Sequence, residues 1–124
     1  MNKISIPLPL MTLNQYTNAN RTSRYVGAKR KKESTYSCAL HVTKAMREGF
    51  QIESFPAHFQ FDWYVKDKRT DKDNIAFQRK FVFDGFQQAE LIPNDNWAHI
   101  GNWVDRFHID KNERVEITVI NTEG

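Results

Sequence analysis

Apolar and polar residues alternate in parts of this chain, which is the pattern of strands that bury one face. The clearest alternations run through residues 59–65 and 115–119. Residues 3–8 predict a further strand, and residues 97–107 a less regular one that a glycine and an asparagine interrupt. The sequence therefore predicts about four strands.

Two other segments carry apolar residues at helical spacing. The first covers residues 31–48 and is followed by Gly49, a common stop signal. The second covers residues 74–91, and Pro93 prevents it from continuing. Residues 14–27 between the first strand and the first helix are polar and rich in Asn, Thr, Ser and Arg, which favours a loop.

The predicted order is β-α-β-α-β-β. One α+β domain over residues 1–124 accounts for it, with a mixed sheet of about four strands and two helices. Residues 110–113 are suited to a hairpin turn between the last two strands. Phe77 and Phe81 lie opposite the main apolar stripe of the second helix, and a subunit contact, stacking on DNA and a second layer of core all remain open for them.

Cysteine content and hydropathy indicate the cellular compartment that we expect for this protein. Cys38 is the only cysteine, so one chain can form neither a disulfide nor a cysteine-based zinc site. The apolar run at residues 4–13 is interrupted by Pro7 and Pro9 and is too short to span a bilayer. We expect a cytoplasmic protein that has no contact with a membrane.

Positive charge is concentrated in the first part of the chain. Residues 1–50 hold nine Lys or Arg against two Glu, whereas residues 51–124 hold nine against thirteen acids. Basic side chains position a nucleic acid by contacting its phosphates without reading its sequence. The candidate DNA-binding residues are Arg21, Arg24, Lys29, Arg30, Lys31, Lys32 and, further along the chain, Arg69. A solvated basic loop is the simpler alternative.

Three aspartates and a lysine are candidates for metal-assisted phosphate chemistry. Asp71 and Asp73 stand two residues apart before the second helix, and Asp95 follows it. Carboxylates that share Mg²⁺ with substrate phosphates form a common catalytic arrangement, and Lys80 could stabilise the charge on the departing oxygen. A helix over residues 74–91 is about 27 Å long, so Asp95 has to come back towards the pair by another route. An isolated Asp-x-Asp is more often a solvated turn.

The combined pattern resembles the RusA-type Holliday junction resolvases, many of which are encoded by phages or prophages. The motifs that carry the resemblance are Arg69-x-Asp71-x-Asp73-Asn74, Lys80-x-x-x-Asp84-Gly85-Phe86 and Asn94-Asp95, with weaker likeness at Ile4 to Pro9, Asn14 and Tyr16. The resemblance implies that Asp71, Asp73 and Asp95 bind Mg²⁺, for which Mn²⁺ can substitute. It also implies that Lys80 assists catalysis and that Asn74 and Asp84 support the site.

The expected function is a Mg²⁺-dependent endodeoxyribonuclease that resolves four-way DNA junctions in recombination and repair. The resemblance implies a homodimer in the bacterial cytoplasm that makes paired cuts in branched DNA. This chain has a longer gap between Asn74 and Lys80 than the family pattern, and it has Asn94 where Asp-Asp is frequent. A flap or fork nuclease and a non-catalytic DNA-binding protein of the same fold remain alternatives.

Overall fold

A computed structural model describes residues 3–10 and 13–120 and contains one four-stranded sheet with helices. The strands are β1 (Lys3–Pro7), β2 (Ala57–Val65), β3 (Ile100–Ile109) and β4 (Arg114–Ile120). The helices are α1 (Leu13–Thr22), α2 (Arg24–Arg47), α3 (Lys72–Ala76) and α4 (Arg79–Gln88). The predicted α+β class and mixed sheet are confirmed, although the first predicted helix begins earlier, at Arg24, the second is divided into α3 and α4, and α1 was not predicted.

The sheet has the strand order β1-β4-β2-β3. β2 and β3 are parallel, whereas β4 is antiparallel to both β1 and β2. The prediction of a hairpin at residues 110–113 is wrong, because β4 does not pair with β3 but inserts between β1 and β2. Strands that follow each other in sequence are often neighbours in a sheet, but here β2 lies between β3 and β4.

The prediction of a loop over residues 14–27 is also wrong, because most of that segment is helical. Ser23 separates the two helices, and its Oγ accepts hydrogen bonds from the backbone N–H groups of Tyr25 (3.1 Å) and Val26 (3.4 Å) at the start of α2. A Cβ at Gly27 would overlap the side chain of Asn20. The residues that suggested a loop therefore serve as a helix cap and as a close helix contact.

The second predicted helix is interrupted near Gln78, which is only 3% exposed. The Oε1 atom of Gln78 accepts a hydrogen bond from the backbone N–H of Leu10 at 2.8 Å, and its Nε2 donates to the carbonyl of Ile75 at 3.0 Å. Phe81 is fully buried, and Phe77 packs edge-on against it with 5.8 Å between the ring centroids. Of the three alternatives for these two phenylalanines, the second layer of core is the one that the structure shows.

The core lies between one face of the sheet and helices α2 and α4. Phe59, Phe61 and Trp63 of β2 are fully buried, as are Val115 and Ile117 of β4. The predicted alternation in these strands is confirmed. Within the described residues, no helix is long and apolar enough to cross a membrane.

Candidate functional site

The acidic segment Asp71 to Asp73 follows β2 and begins α3. Asp71 is the N-cap residue of α3, but its side chain makes no capping hydrogen bond, and its carbonyl accepts from the backbone N–H of Ile75 at 3.1 Å. Asp73 lies in the first turn, where its Oδ1 accepts from the backbone N–H of Asn74 at 3.0 Å. Both aspartates are exposed. Their carboxylates are therefore accessible to a ligand from solvent.

The two aspartates line a cavity of about 590 Å³ at the carboxyl end of β2 and β3. Lys68 and Lys72 line the same cavity, as does His108 from β3. The Nζ of Lys72 lies 5.5 Å from the centre of the Phe107 ring, in a cation–π contact at the cavity wall. The cavity thus combines carboxylates that suit a divalent cation with ammonium groups that suit a phosphate.

Asp95 lies at the other end of the sheet. It is in the turn before β3, where the N–H groups of His99 and Ile100 donate to the carbonyl of Asn96. Ile100 pairs with Ala57 at the amino end of β2, whereas Asp71 lines a cavity at the carboxyl end. The nine residues of β2 span about 26 Å. One chain therefore does not bring Asp95 to the Asp71 and Asp73 pair.

Among residues 3–10 and 13–120, no three His, Cys, Asp or Glu side chains form a group that could hold a metal ion. The expectation that Asp95 comes back to the pair is not met within one chain. The physical reason is the parallel pairing of β2 and β3, which requires α3 and α4 to return the chain to the starting end of β2.

The remaining candidates near the acidic segment are spread along α4 and the preceding loop. Lys80 is exposed in the first turn of α4. Asp84 is half-buried and lines a different cavity, between α2 and α4. Arg69 is exposed, and its Nε lies 3.8 Å from a carboxylate oxygen of Asp67. The structure therefore does not place Asp84 in the cavity that holds Asp71.

The six candidate DNA-binding cations between residues 21 and 32 form a basic tract, and all of them lie in helices. Arg21 lies in the last turn of α1, and the other five cations of the tract lie in the first half of α2. All of them are exposed except Lys31, which is half-buried. Within the part of the chain that the structure describes, none of the six makes an ion pair with a carboxylate. This helix surface therefore has a positive charge that is available to a polyanion.

No family model matches this sequence, and no curated protein is significantly similar to it. The resemblance to the junction resolvases therefore stays a prediction from the motifs alone.

One polar network near the cavity was missed by sequence reasoning. Asp62, only 8% exposed, accepts a hydrogen bond from Gln60 Nε2 at 2.9 Å, and one of its oxygens lies 2.8 Å from His108 Nε2. Burial raises the pKa of Asp62, but the hydrogen bonds from Gln60 and His108 and the nearby charges of His108 and Arg106 outweigh it, so the pKa is below its ordinary value. Tyr64 stacks on His108 with 4.6 Å between the rings.

The network links two strands. Asp62 faces away from the buried aromatic residues of β2, so the alternation in the sequence indicated only that this face is polar. The pairing of β2 with β3 brings His108 beside Asp62. Because Asp62 holds one imidazole nitrogen, the ring of His108 is fixed at the edge of the acidic cavity.

Proposed function

We propose that this protein is a Mg²⁺-dependent endodeoxyribonuclease that cuts branched DNA, such as a four-way junction, a flap or a fork. The observation that supports this most is the pair of exposed carboxylates, Asp71 and Asp73, in one cavity with Lys68 and Lys72. The basic surface of α2 gives the same chain a means to hold a DNA backbone.

The donor atoms fit Mg²⁺. This ion keeps several water ligands and is commonly bound by one or two carboxylates together with substrate phosphates, so Asp71 and Asp73 make up a sufficient protein contribution. When bound, the ion would supply a nucleophilic water and offset charge on the phosphate. Asp71 and Asp73 would hold the ion beside the scissile phosphate, and hydrolysis would leave 5′-phosphate and 3′-hydroxyl ends. Lys72 would hold a phosphate oxygen at the cavity wall.

The function can be tested on a labelled four-way junction with Mg²⁺, with EDTA as the blank. We expect cleavage by the wild type and loss of cleavage in Asp73→Asn, which removes charge without changing side-chain size. Asp110→Asn is a matched control, because Asp110 lies in the turn after β3 and does not line the cavity. An inactive wild type, or an Asp73→Asn variant with full activity, would refute the proposal.

A homodimer offers a way to complete a three-aspartate site. The partner subunit's Asp95 would join Asp71 and Asp73 of the first chain, so that each of two sites draws on both chains. This matches the approximate two-fold symmetry of a four-way junction.

Mixing two inactive variants separates a shared site from a site within one chain. In a heterodimer of Asp73→Asn and Asp95→Asn subunits, a shared arrangement leaves one site with all three aspartates, and that site should nick the junction. If the site lay within one chain, both sites of the heterodimer would carry a defect, and the mixture would stay inactive. The two variants should be unfolded and refolded together so that subunits exchange.

A non-catalytic DNA-binding protein is the second candidate. It is favoured by the absence of a three-ligand metal group among the described residues and by the cationic surface of α2. Titration with Mn²⁺ by calorimetry distinguishes the two. The nuclease proposal expects binding that Asp71→Asn weakens, whereas the second candidate expects no binding that depends on this carboxylate.

A further inference from the structure

A groove between α2 and α4 is separate from the acidic cavity. Its volume is about 970 Å³, and it shares no lining residue with the cavity that holds Asp71. The residues that matter here come from facing helices and are Lys31, Lys32 and Tyr36 of α2 with Asp84, Gln87 and Gln88 of α4. The groove thus contains an aromatic ring, two cations, the two carboxylates of Glu33 and Asp84, and several hydrogen-bonding groups.

The chemistry of the groove suits a nucleotide. Tyr36 is 57% exposed, which leaves much of its surface accessible for stacking. Lys31 and Lys32 lie on the preceding turn of α2 and can contact a phosphate. Gln87 and Gln88 are exposed amides that can both donate to and accept from the edge of a base.

We propose that the groove between α2 and α4 binds an unpaired nucleotide of single-stranded DNA. The base stacks on Tyr36, and Lys31 and Lys32 hold the backbone phosphates next to it. Proteins that bind single strands combine a cationic groove with aromatic side chains in this way, and the base must be unpaired for its face to reach the ring.

Charge argues against a second copy of this chain as the occupant. The first half of α2 carries Arg24 and the consecutive cations Lys29 to Lys32, with Glu33 as its one acid. A two-fold contact through this face would place the same positive charges against each other. A polyanionic strand is instead attracted to them.

The single-strand site rests on the proposed function in one respect, because it names the DNA branch that the nuclease would prefer. A four-way junction can be fully paired, whereas a flap or a fork has a single-stranded arm. An enzyme that uses the groove should therefore cleave flaps and forks more readily than fully paired junctions. The binding of a single strand does not depend on metal or on cleavage.

Binding can be measured by fluorescence anisotropy with the full chain in EDTA, on a short labelled oligothymidylate and on a duplex of equal length. Tyr36→Ala should weaken binding of the single strand about tenfold, which is the size expected for one lost stacking contact, and should leave duplex binding unchanged. Tyr36→Phe keeps the ring and should stay within about twofold of wild type.

Matched controls lie on the same helix. Tyr25 is 76% exposed and does not line the groove, so Tyr25→Ala should also stay within about twofold. Lys32→Glu should weaken single-strand binding more than Lys44→Glu, although both change the charge equally, because Lys44 does not line the groove. Circular dichroism should confirm that every variant is folded.

Several results would overturn the inference. One is the absence of single-strand binding in the wild type, and another is an equal loss of single-strand affinity in Tyr25→Ala and Tyr36→Ala. A third is a wild-type dimer in size-exclusion chromatography that Tyr36→Ala dissociates, because this would assign the groove to a second copy of the chain. Failure of the nuclease proposal would appear separately, as single-strand binding without any metal-dependent cleavage. Failure of the groove proposal alone would appear as metal-dependent junction cleavage by a wild type that does not bind the single strand.

Discussion

Asp105 connects the edge strand β3 to both its neighbouring strand and α4. Its Oδ2 lies 2.6 Å and its Oδ1 lies 2.7 Å from Nη1 of Arg79 at the start of α4. The same Oδ1 accepts a hydrogen bond from Trp63 Nε1 at 2.9 Å. We predict that Asp105→Ala destabilises the protein strongly, because three contacts of one carboxylate are lost together.

The magnitude follows from the burial of the two partners. Trp63 is fully buried, so its indole N–H would lose its acceptor at a cost of about 1–3 kcal/mol. The side chains of Arg79 and Asp105 are each 20% exposed, so water replaces part of the lost ion pair, and a further cost of about 1 kcal/mol is reasonable. The total is about 3 kcal/mol. Asp105→Asn keeps an acceptor for Trp63 and should cost about half as much.

Urea unfolding followed by circular dichroism measures this difference, and the melting temperature of Asp105→Ala should fall by about 10 °C. Asp95→Asn is the control, because this exposed aspartate should change stability by less than about 0.5 kcal/mol. A loss below about 0.5 kcal/mol in Asp105→Ala would refute the reasoning. So would equal losses in Asp105→Asn and Asp105→Ala, because the amide retains an acceptor that alanine lacks.

Three further predictions concern packing and ionisation. In Gly85→Ala the new Cβ would lie 2.6 Å from Cβ of Cys38, so we expect a loss of about 2 kcal/mol in urea unfolding, even though alanine favours a helix. Burial, with a smaller contribution from the charge of Asp84, raises the pKa of Cys38 to about 12, so a thiol reagent should label it only after the protein unfolds. The pKa of Asp62 is below its ordinary value, so this carboxylate stabilises the fold above about pH 3.9 and the stabilisation is lost as the pH falls below that value. The stability difference between wild type and Asp62→Asn should therefore be larger at pH 7 than at pH 3, and an unchanged difference would contradict the assignment.

The strands could be predicted because alternation is a local property of the sequence. Phe59, Phe61 and Trp63 occupy every second position, and they are buried whichever strands pair with β2. Their neighbours in the sheet could not be predicted in the same way. Whether β4 pairs with β3 or inserts beside β2 depends on contacts between distant segments, and the turn residues 110–113 carry no information about that choice.

The helix at residues 13–22 could not be predicted because its polar residues have two uses. Asn, Ser and Thr favour loops when they bond to their own backbone, but they also cap helices. Ser23 does the second, and Gly27 allows Asn20 to approach α2 closely. Only the packing of α1 on α2 distinguishes the two uses, and packing cannot be read from local composition.

For the candidate site, local placement could be predicted and the long-range assembly could not. Asp71 and Asp73 are only two residues apart in sequence, and one cavity is lined by both. Asp84 was expected to support the site, yet α4 directs it to the groove against α2. The same aspartate contributes to the raised pKa of Cys38, which is fully buried in α2.

The position of Asp95 follows from the topology and restricts every mechanism that uses three aspartates. A crossover between parallel neighbours must bring the chain back to the end of the sheet where the first strand began. Residues just after β2 and residues just before β3 therefore lie at opposite ends of the sheet, whatever the sequence of the helices between them. A motif that is compact in sequence is thus divided in space by about the length of β2. If Asp95 takes part in the chemistry, the activity must depend on association of two chains and should fall at protein concentrations where the dimer dissociates.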